Sequence, residues 1–154
     1  MKLFLKISWV GWVRKMTKGQ IQFKTNKEIK IMAEGGKRLG GIKKELARAI
    51  DEGVNAFDIE KLANGLITKA SGKPSFKMVA GYSWATCINV NQGVVHGIPR
   101  KEIIFKKGDF VSVDVGLFYR GFHTDTSFTV GVEVGGEGKR FLDVGRKALK
   151  KAVK

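Results

Sequence analysis

Cysteine and long apolar runs are scarce in this 154-residue chain, and each scarcity excludes a class of protein. The single cysteine, Cys87, cannot form an internal disulfide, which agrees with a reducing compartment such as the cytosol. No run of 18 apolar residues occurs, so the sequence contains no segment typical of a membrane-spanning helix. We therefore expect one cytoplasmic domain, long enough to bury a core of its own.

Acidic residues are also scarce: 14 Asp and Glu stand against 29 Lys and Arg, giving a formal net charge of +15. Most of these basic residues fall between the apolar positions of predicted helices and do not form one tract. A basic surface favours polyanions through counterion release, without sequence specificity. Simple solubility explains the same charge equally well, and the chain contains no nucleic-acid recognition motif.

The first fifteen residues weakly resemble a signal peptide, with the sequence MKLFLKISWVGWVRK. However, Lys6 interrupts the apolar run, Arg14 follows it, and no small-residue cleavage site is present. Met16 would make a natural first residue. We expect residues 1–15 to be an upstream extension, with an amphipathic anchor as the alternative, and residues 16–154 to form the domain.

Helical signals precede strand signals along the chain. Thr25 and Glu28 form a capping-box pattern that opens a first helix, Gly53 ends it, and a second helix begins at Asn55. Strands are predicted near residues 86–90, 94–97, 110–118 and 122–130. Two helices packed on an antiparallel sheet make an α+β arrangement. The glycines inside the first helix predict a close approach to the sheet; they are Gly35, Gly36, Gly40 and Gly41.

Two aspartates interrupt the strongest strand patterns. Asp114 lies in FVSVDVGLF and Asp125 in FHTDTSFTV, where β-branched and aromatic neighbours indicate buried strands. Burying an unpaired carboxylate is costly, so a cation between the two strands would explain both residues. A divalent metal ion is the obvious candidate, because hard cations favour carboxylate oxygens. The alternative is that both aspartates are solvated residues of an edge strand.

Whether the two carboxylates meet depends on the register of the hairpin. A two-residue turn at Tyr119-Arg120 places Asp114 opposite Asp125, with Cβ atoms about 5 Å apart. A type I turn with Gly121 as a bulge shifts the register by one residue, and the carboxylates then point to opposite faces. The sequence leaves both registers open.

The segments around these aspartates resemble a known family. TCINVNQGVVHGIP, followed by KKGDFVSVDVG and GFHTDTS, is similar to type I methionine aminopeptidases of the pita-bread metallopeptidase family. The order and spacing of His96, Asp114 and Asp125 match, from about Lys24 to the end of the chain. The resemblance implies the first half of a pita-bread fold, with an antiparallel sheet covered by two helices. It also implies removal of the initiator methionine from nascent proteins.

Site residues follow from the resemblance by position. Asp114 is implied as a ligand of one metal ion and Asp125 as a bridge between two divalent ions (Co, Mn, Fe, Zn or Ni). His96 is implied to hydrogen-bond the scissile peptide and to stabilise the tetrahedral intermediate. Tyr82 and Cys87 fall where the family lines its methionine pocket, although GYSWATC lacks the proline usual in that loop. As a small buried hydrophobe, Cys87 has a purely structural interpretation as well.

Other polar residues near the site are not expected to be ligands. His123 lies two positions before Asp125 and would share its face of a strand, but the resemblance implies a structural or supporting role for it. Glu133 and Glu137 follow in a glycine-rich turn and are too close in sequence to replace ligands from the other half of the fold.

The resemblance covers only part of the family's pattern. The family completes its site with one histidine and two glutamates further along the chain, and this sequence stops at Lys154. We expect a fragment that lacks three of five metal ligands and is inactive alone. We further expect it to expose an apolar sheet edge or face, and so to self-associate or to bind a second-half polypeptide.

The expected partners of the family function are nascent polypeptides that begin with methionine, and ribosomal RNA as a contact of the basic surface. An alternative is a non-catalytic pita-bread relative that binds a peptide or the ribosome. A third is a proline-directed peptidase of the same superfamily. Retention of His96, Asp114 and Asp125 favours an aminopeptidase, and the VNQGVVHGIP context favours the methionine-specific kind.

Overall fold

A computed structural model describes residues 23–153. The predicted extension over residues 1–15 and its boundary at Met16 lie outside the described residues. These residues form three helices and four strands, together with a 3₁₀ turn at Phe76–Met78. The elements are α1 (Asn26–Ala49), α2 (Ala56–Lys69), β1 (Lys73–Pro74), β2 (Thr86–Val90), β3 (Phe110–Tyr119), β4 (Phe122–Gly131) and α3 (Gly136–Ala152). The expected α+β class with an antiparallel sheet is confirmed.

The predicted starts of the first two helices are confirmed. The Thr25 hydroxyl accepts the Glu28 backbone N–H at 3.3 Å, and the Thr25 N–H donates to Glu28 Oε2 at 2.7 Å, so the capping box is complete. The Asn55 side chain accepts the Asp58 N–H at 3.0 Å and caps α2. α1 ends at Ala49, earlier than predicted.

Strand β3 is the centre of the sheet. β4 pairs with it along its whole length, and β1 and β2 pair with its other edge. Alternate β3 residues, Val113, Val115 and Leu117, are fully buried beneath α1 and α2. Burial of each such side chain stabilises the folded state by roughly 1.5–3 kcal/mol. The helices contribute Leu39, Ile42, Leu46, Ile59 and Ile67 to the same core.

The prediction about helix glycines is correct at one position. A Cβ at Gly35 would lie 3.6 Å from Thr124 Cγ2 and 3.6 Å from Tyr119 Cβ, so α1 approaches the sheet closely there. Gly36, Gly40 and Gly41 have no atom within 4 Å of a Cβ, and for them the prediction is wrong.

Both predicted registers of the β3–β4 hairpin are wrong. The turn residues are Arg120 and Gly121, with φ of +47° and +93°, and Tyr119 pairs with Phe122. Positive φ at both positions is what a two-residue hairpin turn of type I′ requires, and its twist matches that of the strands. Asp125 therefore lies opposite Gly116. The shift from the first predicted register is two residues, which keeps Asp114 and Asp125 on one face.

The predicted strand at residues 94–97 is also wrong, because this segment is an irregular loop. His96 adopts a left-handed backbone with φ of +56°, which is incompatible with an extended strand. Within residues 23–153, no helix combines the length and apolar character needed to cross a membrane.

Candidate functional site

The sheet face opposite α1 and α2 is mainly polar, and it is covered only in part, by the segment at 75–76 and by the start of α3. Its polarity follows from the alternation along each strand, since every second residue points away from the core. Its polar residues are Asn89, Ser112, Asp114, His123, Asp125, Ser127 and Thr129. The face is polar where we expected an apolar sheet edge or face, while β4 pairs with β3 alone and leaves one edge of the sheet without a strand among residues 23–153, so the expected self-association stays a prediction. Exposed apolar side chains lie on α3, where Phe141 is 69% and Leu149 67% exposed, and also in the loops near this face, at Met78, Val79, Val94 and Val95.

Asp114 and Asp125 are brought together on this polar face. The pKa of the Asp114 carboxyl is raised by burial, then by the charge of Asp125 and by a hydrogen bond between the two side chains. The Val115 N–H and His96 lower it by smaller amounts. Two carboxylates in this position repel one another, and a shared proton or a cation relieves the repulsion.

His96, the third predicted site residue, lies in the loop beside β2, the strand whose Cys87 pairs with Asp114. The loop that carries His96 is fastened to β2, because the Ile88 N–H donates to the Gly97 carbonyl at 2.9 Å. A Cβ at Gly97 would lie 2.0 Å from the Ile88 carbonyl oxygen, so only glycine allows this approach. The imidazole is solvent-exposed and available to a ligand.

Tyr82 and Cys87 form one wall beside the aspartates. Cys87 is paired across the strands with Asp114 and is only 6% exposed. The Tyr82 hydroxyl donates to the Thr86 carbonyl at 2.8 Å and lies 3.0 Å from Cys87 Sγ. All five residues predicted for the site thus lie on or next to the polar face.

The thiol of Cys87 should be inert in the folded protein. Burial raises its pKa, and the charges of Asp114 and Asp125 raise it further, while the contact with Tyr82 opposes them. Since the thiolate is the reactive form, its population at mildly alkaline pH falls when the pKa rises. We expect the native protein to react with a disulfide reagent on the order of 100-fold more slowly than the chain unfolded in guanidinium chloride. Comparable rates in the two states would contradict this prediction.

An open groove beside Asp125 was missed by sequence reasoning. It has a volume of about 400 Å³ and is lined by Ser75, Phe76, Met78, Val79, His123, Thr124 and Asp125. The segment that forms its wall crosses β3 at Gly116, whose carbonyl accepts the Ser75 N–H at 3.0 Å. A Cβ at Gly116 would lie 2.7 Å from Ser75 Cβ and 2.9 Å from Phe76 Cε1. The glycine of the DVG segment was the only signal of this crossing.

His123 supports this wall. Its Nδ1 lies 2.6 Å from Ser75 Oγ, and its ring centroid is 4.7 Å from that of Phe118. Glu133 forms an ion pair with Lys107 at 2.9 Å. No group of three or more His, Cys, Asp or Glu within residues 23–153 is arranged to hold a metal ion. The described residues therefore supply one carboxylate pair toward such a site.

Sequence reasoning also missed Glu60 of α2, which holds the start of β2 in place. Glu60 is only 3% exposed. Its carboxylate accepts the Ala85 N–H at 2.8 Å and the Thr86 N–H at 3.0 Å. The Thr86 hydroxyl and the Asn64 amide also donate to it, at 2.7 and 2.6 Å. Glu60 thus fixes the backbone whose Thr86 carbonyl accepts the Tyr82 hydroxyl.

Comparison with known proteins agrees with this geometry. The family model described as metallopeptidase family M24 matches residues 30–154. Methionine aminopeptidase 1 of Bacillus subtilis is 33% identical over 131 residues, which are 84% of this chain and 52% of that protein. The crystal structure of methionine aminopeptidase from Thermotoga maritima superposes with a TM-score of 0.80 at 42% identity, covering 88% of this chain and 55% of that one.

A more distant likeness concerns the fold alone. Prolidase from Pyrococcus furiosus superposes with a TM-score of 0.69 at 20% identity, covering 85% of this chain and 37% of that one. The chain spans about half the length of the methionine aminopeptidases that it matches. The match over residues 30–154, with the aspartate pair on the open face of a pita-bread sheet, shows that this chain belongs to metallopeptidase family M24.

Proposed function

We propose that this chain is part of a cytoplasmic metal-dependent aminopeptidase that removes the initiator methionine from nascent polypeptides. The observation that carries the proposal is the placement of Asp114 and Asp125 on one open face, with His96 beside them. The relatives support it, because those at 33% identity are methionine aminopeptidases.

The carboxylate pair suits a divalent cation. Carboxylate oxygens are the ligands that hard cations prefer, and the pKa of Asp114 is raised first by burial and then by the charge of Asp125. A divalent ion here would act as a Lewis acid and activate water for attack on a peptide carbonyl. Since the described residues supply two carboxylates and no third ligand, we propose that the chain by itself binds such an ion weakly.

The groove next to Asp125 suits the side chain of an N-terminal methionine. Phe76, Met78 and Val79 give it apolar walls, and the Phe76 and Tyr82 rings meet edge to face with centroids 6.4 Å apart. His96, which is exposed, would hydrogen-bond the peptide that follows the methionine.

A metal-binding measurement tests whether Asp114 and Asp125 hold a divalent cation, and it does not require catalytic activity. We expect Mn²⁺ to bind the chain with a Kd on the order of 1 mM, because water keeps most coordination positions. Asp114→Asn combined with Asp125→Asn should remove this binding, measured by Mn²⁺ electron paramagnetic resonance. Asp143→Asn, an exposed aspartate of α3 paired with Arg146, is the matched control and should bind Mn²⁺ normally. Equal binding in all three proteins would refute the assignment.

Methionine release from a Met-Ala-Ser peptide, with Mn²⁺ or Co²⁺ added, then separates the two candidate functions. The incomplete ligand set predicts no release by the chain alone. This same incompleteness favours the second candidate, a non-catalytic peptide-binding module. Binding of the uncleaved peptide that survives the double aspartate substitution would support that module. Release that depends on the aspartates would show that the chain completes its own site.

A further inference from the structure

One edge of the sheet has no neighbouring strand within residues 23–153, because β4 pairs with β3 alone. Tyr119 and Phe122 close a two-residue turn, so the hydrogen-bonded pairs of β3 and β4 alternate from that point along the hairpin. Every second residue of β4 therefore directs its N–H and its carbonyl away from β3, toward the free edge. These outward residues are His123, Asp125, Ser127 and Thr129.

The free edge of β4 carries few of the features that normally block an exposed strand. Natural edge strands are often protected by lysine, by proline or by a bulge. β4 contains no Lys, Arg or Pro, and it pairs with β3 residue for residue, without a bulge. Lys43 of α1 covers part of the edge, since its Nζ donates to the Ser127 carbonyl at 3.0 Å and lies 3.3 Å from the Thr126 hydroxyl. A lysine supplies donors only, so it cannot pair with the outward N–H groups of β4.

A second copy of the chain fits this edge by symmetry. An antiparallel edge turned about a twofold axis perpendicular to the sheet presents the same donors and acceptors in reverse order. With the axis at Thr126, Asp125 of each copy lies opposite Ser127 of the other, and His123 lies opposite Thr129. These pairs would exchange about eight backbone hydrogen bonds. The polar faces of both copies would then lie on the same side of one continuous sheet.

The same symmetry extends the row of carboxylates. Within one chain Asp114 lies opposite Ser127, so Asp125 is its diagonal neighbour on the same face. Across the axis, Asp125 of one copy is the diagonal neighbour of Asp125 of the other, because each lies opposite Ser127. The carboxylates of two copies therefore follow one another along one face. A single chain supplies two, and within residues 23–153 it has no group of three or more His, Cys, Asp or Glu arranged to hold a metal ion.

We propose that the chain forms a twofold-symmetric dimer through the free edge of β4, in which Asp114 and Asp125 of both copies bind divalent cations together. The inference rests on the proposed metal site and names the partner that extends its ligand set. An unrelated strand could make the same backbone hydrogen bonds, but it would extend the acidic row only if it carried a carboxylate at the matching position. A second copy necessarily carries one.

Dimerisation through this edge should require the metal. A contact between two strand edges is small beside the roughly 1,000 Å² that a stable interface buries. The net charge of +15 on each chain opposes association, and neighbouring carboxylates repel one another without cations between them. Metal binding and dimerisation are therefore coupled, and each strengthens the other by the same factor.

Sedimentation velocity and Mn²⁺ electron paramagnetic resonance test this coupling. At about 100 μM chain we expect dimers with about 5 mM Mn²⁺ and monomers with EDTA. The apparent Kd for Mn²⁺ should fall about tenfold or more when the chain concentration rises from about 10 μM to about 1 mM. Asp125→Asn should remove both effects, because it removes a ligand from each copy. Asp143→Asn, on α3, should retain them.

Substitutions at the edge locate the contact. Ser127→Pro removes an outward N–H but no hydrogen bond to β3, so the chain should still fold while the dimer is lost. Ser127→Ala, the matched control, keeps the N–H and should dimerise like the unsubstituted chain. Lys43→Ala frees the Ser127 carbonyl and should strengthen dimerisation about threefold or more, which gives a test of opposite sign. Circular dichroism verifies that each variant is folded.

Each outcome bears on a separate claim. A chain that remains monomeric with Mn²⁺, and binds Mn²⁺ with the same affinity at both chain concentrations, overturns the dimer and leaves the metal site of the proposed function intact. Absence of Mn²⁺ binding at both concentrations overturns both proposals. Equal dimerisation of Ser127→Pro and Ser127→Ala overturns the assignment to β4, and a dimer that persists in EDTA overturns the coupling to metal.

Discussion

Glu60→Ala is expected to lower the free energy of unfolding by about 3 kcal/mol. The substitution leaves the Ala85 N–H, the Thr86 N–H and the Thr86 hydroxyl without their acceptor. Thr86 and Ala85 are fully buried, so water cannot take the place of the carboxylate without opening the structure. A buried donor that loses its partner incurs its full desolvation penalty, and three such donors are affected together.

Urea unfolding followed by circular dichroism measures this loss. Glu60→Gln is the informative companion, because the amide keeps one acceptor oxygen and should lose roughly half as much stability. Glu102→Ala, an exposed glutamate, is the control and should change stability by less than about 0.5 kcal/mol. If Glu60→Ala were as stable as this control, the start of β2 would not depend on the carboxylate. Exposure of Cys87 to a thiol reagent in Glu60→Ala would show that the wall beside Asp114 had loosened.

Gly97→Ala should be comparably damaging, by about 3 kcal/mol or by complete displacement of the loop. The new methyl group would lie 2.0 Å from the Ile88 carbonyl oxygen and 2.7 Å from Asn89 Oδ1. The first of these is backbone within β2 and cannot move aside without breaking the ladder to β3. Either the sheet yields, or the loop leaves β2 and takes His96 with it.

Gly41→Ala serves as the matched glycine control. A Cβ at Gly41 meets nothing within 4 Å, and the residue lies inside α1. Replacing an unconstrained helical glycine by alanine should raise stability by about 1 kcal/mol. The two substitutions thus add the same methyl group with opposite expected signs, measured by urea unfolding. A stable Gly97→Ala protein with an unchanged NMR signal for His96 would contradict the argument.

The predictions from sequence succeeded where the signal was local. Thr25, Glu28 and Asn55 mark helix starts through hydrogen bonds that span three residues, and the structure contains those bonds. The aspartate pair was also found, because a carboxylate stands out in a β-branched strand. The prediction of the hairpin register was wrong, because turns at 119–120 and at 120–121 are both consistent with one glycine at position 121. The predicted register differs from the observed one by two residues, so the prediction still placed both aspartates on the same face of the sheet. A difference of one residue would have placed them on opposite faces.

The missed features depend on contacts between distant segments. Glu60 precedes its partners at 85 and 86 by about 25 residues, and nothing local distinguishes it from an exposed helical glutamate. The groove next to Asp125 requires Ser75 and Phe76 to cross Gly116, a contact that no periodicity reveals. The predicted strand at 94–97 contains the β-branched Val94 and Val95, yet both side chains are exposed in the loop that carries His96. Tertiary packing decides these three cases, and propensity does not.

The carboxylate pair belongs to a single hairpin, and this bears on the order in which the protein assembles. Asp114 and Asp125 are eleven residues apart and are joined by a turn of two residues, so closing the chain between them costs little entropy. Hairpins form in about 1–10 μs, and the contact of Glu60 with Thr86 needs a longer stretch of chain to close, since these residues are 26 positions apart. The negative pocket can therefore arise early, from adjacent strands alone. The helices α1 and α2 pack on the opposite face of the sheet, so their docking does not close over the pair.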